Sequence, residues 1–336
     1  MTVTAEAPPG RTTRASSLVL SPTVVAHRGA SGHRPEHTLD AYRTAIRMGV
    51  DDIELDLVCT RDGVLVARHD VELSITTDVA ERREFAHLRR TTTVDGVAQR
   101  GWFVEDFTLP ELKTLAARER MPVVRPANTA YDGAEGVPTL TEVLAMVGAE
   151  SARRGRPVGV LLELKHTAHH DAIGLPLDEP LLRDLARHGL DHPWARVTIM
   201  SFEAPILRRL AGRTRLPIIQ LLEEAPSAEE LDWIDEYADG IGPDKSLVLP
   251  RDRTGAIGTP STLVHDAHAH GLTVHVWTVR GENRFLPSNL RHGGAPDALG
   301  DMAAEVRALL DAGVDGVITD HPEGALAVVR EVAASR

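Results

Sequence analysis

The chain has 336 residues, 42% hydrophobic and 26% charged, a globular composition that excludes disorder as a description of the whole. Its net charge of -12 excludes a protein that wraps a nucleic-acid backbone, which needs Lys and Arg in excess over a broad surface. With Cys59 as its only cysteine it can hold neither an intramolecular disulfide nor a thiolate metal cluster.

In chain order, residues 1–21 are small and polar with Arg11 and Arg14, and the apolar run 18–20 is far too short for a secretory core. They read as a disordered leader on a cytoplasmic protein. No later stretch approaches the ~20 apolar residues that a membrane span requires. β-branched runs at 24–27, 53–58, 160–164, 197–200, 217–222, 240–242, 273–278 and 314–319 predict eight strands. Between them, apolar residues three and four apart predict helices over 39–48, 140–147, 181–190, 204–210, 263–270 and 302–310, with Pro322 opening a last one. Eight strands alternating with helices predict an α/β fold, a (β/α)8 TIM barrel formed by one domain over 22–336.

Two segments break the rhythm. Residues 71–138 follow a hairpin strand at 64–68 turned by Asp62-Gly63, and form an insertion after strand 2 that is expected to cap the barrel mouth. Residues 280–297, rich in Gly and Pro, are a second insertion.

Barrel active sites collect at the C-terminal ends of the strands. There the sequence places His27 and Arg28 after the first strand, Glu54 and Asp56 on the second, His69 after the hairpin, Glu163 and Lys165 on the third and Trp277 on the seventh. Glu54 and Asp56 are two apart and share one face of their strand. Paired carboxylates on an inward face repel unless a cation lies between them, and Glu163 offers a third. An all-oxygen set suits Ca2+ or Mg2+ rather than zinc. Strand-end acids also pair with Arg or Lys in ordinary networks, but two histidines, Arg28 and Lys165 beside three acids favour a phosphodiester site. A cation, Arg28 and Lys165 can hold the phosphoryl oxygens, and His27 and His69 can move protons. His169, His170, His265, His268 and His270 read as surface or hydrogen-bonded residues. His268 and His270, two apart, cannot share a helix face.

The runs HRGASGHRPEHT over 27–38, ELD over 54–56 and RHD over 68–70 resemble the glycerophosphodiester phosphodiesterases. So do ELK at 163–165, ADGIGPD from Ala238, HVWTVR from His275 and GVDGVITD from Gly313, and these later pieces look like the bacterial periplasmic branch. The resemblance spans about 24–330 and implies hydrolysis of a small glycerophosphodiester to sn-glycerol 3-phosphate and an alcohol. It implies catalytic roles for His27 and His69, a divalent cation on Glu54, Asp56 and Glu163 with Ca2+ ahead of Mg2+, and substrate contacts from Arg28 and Lys165. It further suggests that His27 deprotonates the glycerol 2-hydroxyl or a water while His69 protonates the leaving alcohol. His37 stands where much of the family has Asn, and Glu36 is expected near the metal site. Phe202 and Trp277 are expected to line the glycerol pocket, with core packing as the other reading. A lysophospholipid substrate, as in phospholipase D-like barrels, fits less well, because the first insertion is polar and aromatics total 4%. A non-catalytic phosphodiester sensor would have no use for two histidines beside three acids.

Overall fold

Strands buried on both faces and helices with one apolar stripe meet in a single closed sheet. The computed structural model describes residues 22–334, so the expected leader 1–21 lies outside the described residues. The strands are β1 (Thr23–Ala26), β2 (Asp52–Cys59), β3 (Leu65–Ala67), β4 (Arg90–Val94), β5 (Val97–Gly101), β6 (Gly159–Leu164), β7 (Val197–Ser201), β8 (Ile218–Leu222), β9 (Gly240–Pro243), β10 (Thr273–Val279) and β11 (Gly316–Thr319). β1, β2 and β6 to β11 are parallel neighbours in that order, and β11 pairs back onto β1, which closes an eight-stranded barrel. β3 pairs antiparallel with the far end of β2, as the Asp62-Gly63 turn predicts.

Strand parity sorts the side chains into two layers. Ile53, Leu55 and Leu57 of β2 point outward into the main core with Tyr42, Ile46 and Leu140 of the surrounding helices. Val25, Leu161, Met200, Ile219 and Ile318 fill the barrel interior. Glu54 and Asp56 therefore lie on the inner side, and the β2–β6 register sets Asp56 beside Glu163.

The helix Leu39–Met48 starts where the sequence predicts. Thr38 caps it by accepting from Ala41 N, and Gly49 ends it at φ 106°. Ala228–Asp235 is a helix that apolar spacing does not announce, because only Leu231 and Ile234 are buried on it. Its legible signal is the capping box of Ser227 and Glu230.

The first insertion does not cap the mouth. Residues 71–138 build a core of their own, with Leu73, Phe85, Phe103 and Phe107 packed against Val58 and Val66 on the flank of the β2–β3 hairpin. None of them lines the central cavity. The insertion is tied to the loop after β6 by two contacts, His166 Nδ1 with Asp95 at 2.5 Å and His169 Nε2 with Glu105 at 3.1 Å.

Beside these contacts His170 is wholly buried and neither ring nitrogen has a hydrogen-bond partner. Burial pushes its pKa down to about 4. The unfolded chain then binds one proton more than the native one between pH ~6.5 and ~4, so stability falls as pH drops through that window, by about 2 kcal/mol at pH 5. The substitution His170→Leu is expected to abolish this part of the acid loss. Urea midpoints at pH 7 and pH 5 that fall equally in both proteins would contradict the assignment.

Candidate active site

The chain leaves β1 at Ala26 and turns sharply, with Arg28 at φ 57° and Gly29 at φ 83°. A Cβ on Gly29 would lie 2.6 Å from the Ala41 carbonyl carbon, so only glycine lets the turn press against helix Leu39–Met48. Arg28 in the left-handed region costs roughly 1–2 kcal/mol. Its amide N–H donates to Glu54 Oε2 at 2.8 Å and its carbonyl accepts from His37 N at 3.1 Å, which holds the strained turn.

Glu54, Asp56 and Glu163 each offer an oxygen within 4.8 Å of the other two. Glu54 Oε1 and Asp56 Oδ1 are buried without any hydrogen-bond partner. Unsatisfied carboxylate oxygens are costly, and two aimed into one cluster are what a hard cation would satisfy. Burial and the charges of Asp56 and Glu163 push Glu54 well above the ordinary carboxylate range. Burial and Asp56 push Glu163 up to about 8, against the pull of Lys165. Asp56 stays ionised despite its burial, because Arg28, Lys165 and the His37 hydrogen bond outweigh desolvation. These residues fit a divalent cation with oxygen ligands.

Other groups hold the cluster in place. His37 Nε2–H donates to Asp56 Oδ2 at 2.9 Å while Nδ1 accepts from Tyr42 O–H at 2.7 Å, in the tautomer that satisfies both. Glu36 is not a member of the cluster. It takes Arg28 Nη1 at 3.1 Å and both Nε and Nη2 of Arg120 at 2.7 Å, and so fixes the site arginine. Lys165 Nζ donates to Glu163 Oε1 at 2.8 Å.

The two predicted histidines each sit on a carboxylate. His27 Nδ1–H donates to Asp320 Oδ1 at 2.6 Å, and His69 Nδ1–H donates to Asp70 Oδ1 at 2.7 Å. Nε2 of each ring is left with a lone pair. Burial, then the charge of Arg28, lowers both imidazoles to about 4, so both are neutral at pH 7. Asp320 stays well below the usual range because Arg280 and Arg125 outweigh its burial. Arg125 reaches it from the first insertion at 2.5 Å and Arg280 from the loop after β10 at 2.7 Å. The insertion supplies Arg120 as well, 2.6 Å from Asp70 Oδ2. It thus braces both His–Asp pairs from behind.

His27, Arg28, Glu54, His69, Glu163 and Lys165 all line one cavity of about 620 Å³ at the C-terminal ends of the strands. Phe202 and Trp277 also line it, in an edge-to-face pair with centroids 5.4 Å apart, and Trp277 Nε1–H donates to Gly242 O at 2.6 Å. They are half-buried against the interior cluster, so the same two rings pack on the core and face the cavity. Asp70, Asp320, Tyr42, Arg120, Arg125 and Arg280 complete the site, and no periodicity marks them. Asp70 and Asp320 do stand in motifs of the sequence, as the acids of RHD and VITD.

A parallel barrel whose strand ends bring together three carboxylates, two imidazoles and two cations defines an enzyme for a phosphate ester. The model of the glycerophosphoryl diester phosphodiesterase family matches residues 27–324. A glycerophosphodiester phosphodiesterase of Arabidopsis thaliana is 34% identical, the match covering 89% of this chain and 83% of that one. One of Bacillus subtilis is 32% identical with the same coverage of each chain. Among solved structures, an Oleispira antarctica phosphodiesterase in complex with the product sn-glycerol-3-phosphate shares the fold, with a TM-score of 0.65 at 22% identity over 93% of this chain and 98% of that one. The chain belongs to the glycerophosphoryl diester phosphodiesterase family.

Proposed function

We propose that the chain hydrolyses glycerophosphodiesters to sn-glycerol 3-phosphate and an alcohol, using a divalent cation on Glu54, Asp56 and Glu163 and proton transfer by His27 and His69. The reading rests chiefly on two imidazoles, each oriented through Nδ1 by a carboxylate, that face the same cavity as a buried three-carboxylate cluster with unpaired oxygens.

His27 Nε2 takes the proton of the attacking hydroxyl as a bond to phosphorus forms; attack by water gives sn-glycerol 3-phosphate directly, and attack by the glycerol C2 hydroxyl gives a cyclic phosphate whose ring a water then opens to sn-glycerol 3-phosphate. The phosphorus–oxygen bond to the alcohol breaks, and His69 returns a proton to that oxygen. His69 must carry that proton on Nε2, and the negative charge of the bound diester favours its protonation. Arg28 and Lys165, pre-positioned by Glu36 and Glu163, contact the non-bridging oxygens. When bound, the cation supplies Lewis-acid stabilisation of charge on those oxygens. Ca2+ fits the flexible, all-carboxylate ligand set better than Mg2+, which demands near-ideal octahedral geometry.

The rim favours water-soluble head groups over lysophospholipids. It carries Glu223, Arg251, Arg280 and Arg284, and none of the large exposed hydrophobic residues lines the cavity. Chelation is expected to stop release of sn-glycerol 3-phosphate from glycerophosphocholine, and Ca2+ to restore it. Glu54→Gln is expected to raise the cation concentration for half-maximal activity about 10-fold or more. Full activity in excess chelator, or an unchanged cation requirement in the variant, would remove the metal from the reading.

A further inference from the structure

The outer half of the cavity, where Arg251 and Arg284 stand exposed, takes no part in the reaction proposed above. The wall of the whole cavity carries six cationic side chains, Arg28, Lys165, Lys245, Arg251, Arg280 and Arg284, on a chain whose net charge is -12. Four of them are matched by carboxylates: Arg28 by Glu36 at 3.1 Å, Lys165 by Glu163 at 2.8 Å, Lys245 by Glu305 at 2.7 Å and Arg280 by Asp320 at 2.7 Å. Arg251 and Arg284 have no carboxylate partner among the described residues. Both are exposed at the rim.

The rim is built rather than loose. The Phe285 carbonyl accepts from Arg251 Nη2 at 2.7 Å and from Lys245 Nζ at 3.2 Å, and the Arg280 guanidinium stacks over the Phe285 ring at 4.8 Å. Asn283, one turn back, donates to His292 O at 2.7 Å and Ala295 O at 2.9 Å, while its neighbour Glu282 takes Arg125 Nε at 2.6 Å. Three cations are thereby held around one residue at mutual electrostatic cost: Arg251 and Arg280 both act to lower the Lys245 pKa. Asp244 Oδ1 is taken by Ser246 N and Oγ at 2.8 and 2.5 Å, and neither Asp244 nor Glu223 forms an ion pair with Arg251 or Arg284.

We propose that this outer half selects glycerophosphodiesters whose alcohol carries its own anionic group, a carboxylate or a second phosphate, bound by Arg251 and Arg284. The inference rests on the hydrolytic reading above and deepens it to a substrate class. One Arg251 guanidinium N–H is used by the Phe285 carbonyl and none of the Arg284 guanidinium is used among the described residues, which leaves most of their donors for a two-point grip on a planar carboxylate or a phosphate. Cationic head groups such as choline and ethanolamine would meet like charge at Arg251 and Arg284 instead.

The test compares kcat/KM for four substrates: glycerophosphoserine, bis(glycerophospho)glycerol, glycerophosphocholine and glycerophosphoethanolamine. At least one anionic substrate is expected to exceed glycerophosphocholine about 10-fold at low salt, with the ratio shrinking as ionic strength rises. Preference for the serine compound alone identifies a carboxylate subsite, and preference for the bis-phosphate alone a second phosphate subsite. In Arg251→Gln/Arg284→Gln the anionic-to-choline ratio is expected to collapse towards one. Calorimetric binding of phosphoserine against phosphocholine reads the same selectivity without turnover. A choline substrate used as well as both anionic ones, or a ratio unmoved in the double variant, overturns the proposal. Inactivity on all four compounds with every divalent cation overturns the hydrolytic reading instead.

Discussion

Replacing His27 with Ala is expected to lower kcat by about 10²–10⁴-fold while leaving substrate affinity nearly intact, because proton transfer acts only in the transition state. His69→Ala should behave alike on natural substrates. The two roles separate on a glycerol phosphate ester of p-nitrophenol, whose leaving group departs without protonation. There the loss in His69→Ala should largely disappear, and the loss in His27→Ala should persist. If the activated ester rescues the His27 variant and not the His69 variant, the base and the acid are exchanged. If neither variant loses turnover on glycerophosphocholine, the proton-transfer mechanism fails.

Asp320→Asn is the second large effect expected, a fall in kcat of about 10²–10⁴-fold with little change in KM. The carboxylate accepts Nδ1–H of His27 at 2.6 Å and so leaves the Nε2 lone pair facing the cavity. An amide can instead donate to Nδ1, which places the ring proton on Nε2 and blocks the base. Arg125 and Arg280 would then face a neutral group, so the thermal midpoint should fall too. A merely structural role would lower the midpoint and leave the pH profile of the remaining activity unaltered. Asp320 as a positioning residue requires that its acid limb move as well.

The residues of the candidate site are legible for different reasons. Glu54 and Asp56 follow from strand period alone, since a run of alternating acid and leucine has one inner face. His27, His69 and Glu163 follow from their place at strand ends, where a barrel concentrates its chemistry. Their partners are another matter. His27 and Asp320 are 293 positions apart, and nothing local to either residue states that the first and last strands are neighbours. Arg120 and Arg125 are hidden more deeply, within an insertion whose length suggests a cap over the mouth. Its apolar residues, spread over Leu73, Phe85, Phe103 and Phe107, gave the better clue, because a segment that can form its own core need not drape over another. The rim is formed instead by the segments after β9 and β10, around Lys245 and Phe285, the latter within the second insertion over 280–297.

His27 follows the first strand and Asp320 the last, and they meet only across the seam at which β11 pairs with β1. A chain cut short before Asp320 would keep His27 without the carboxylate that orients its Nδ1, so on the mechanism proposed above its turnover would wait for closure of the ring at β11.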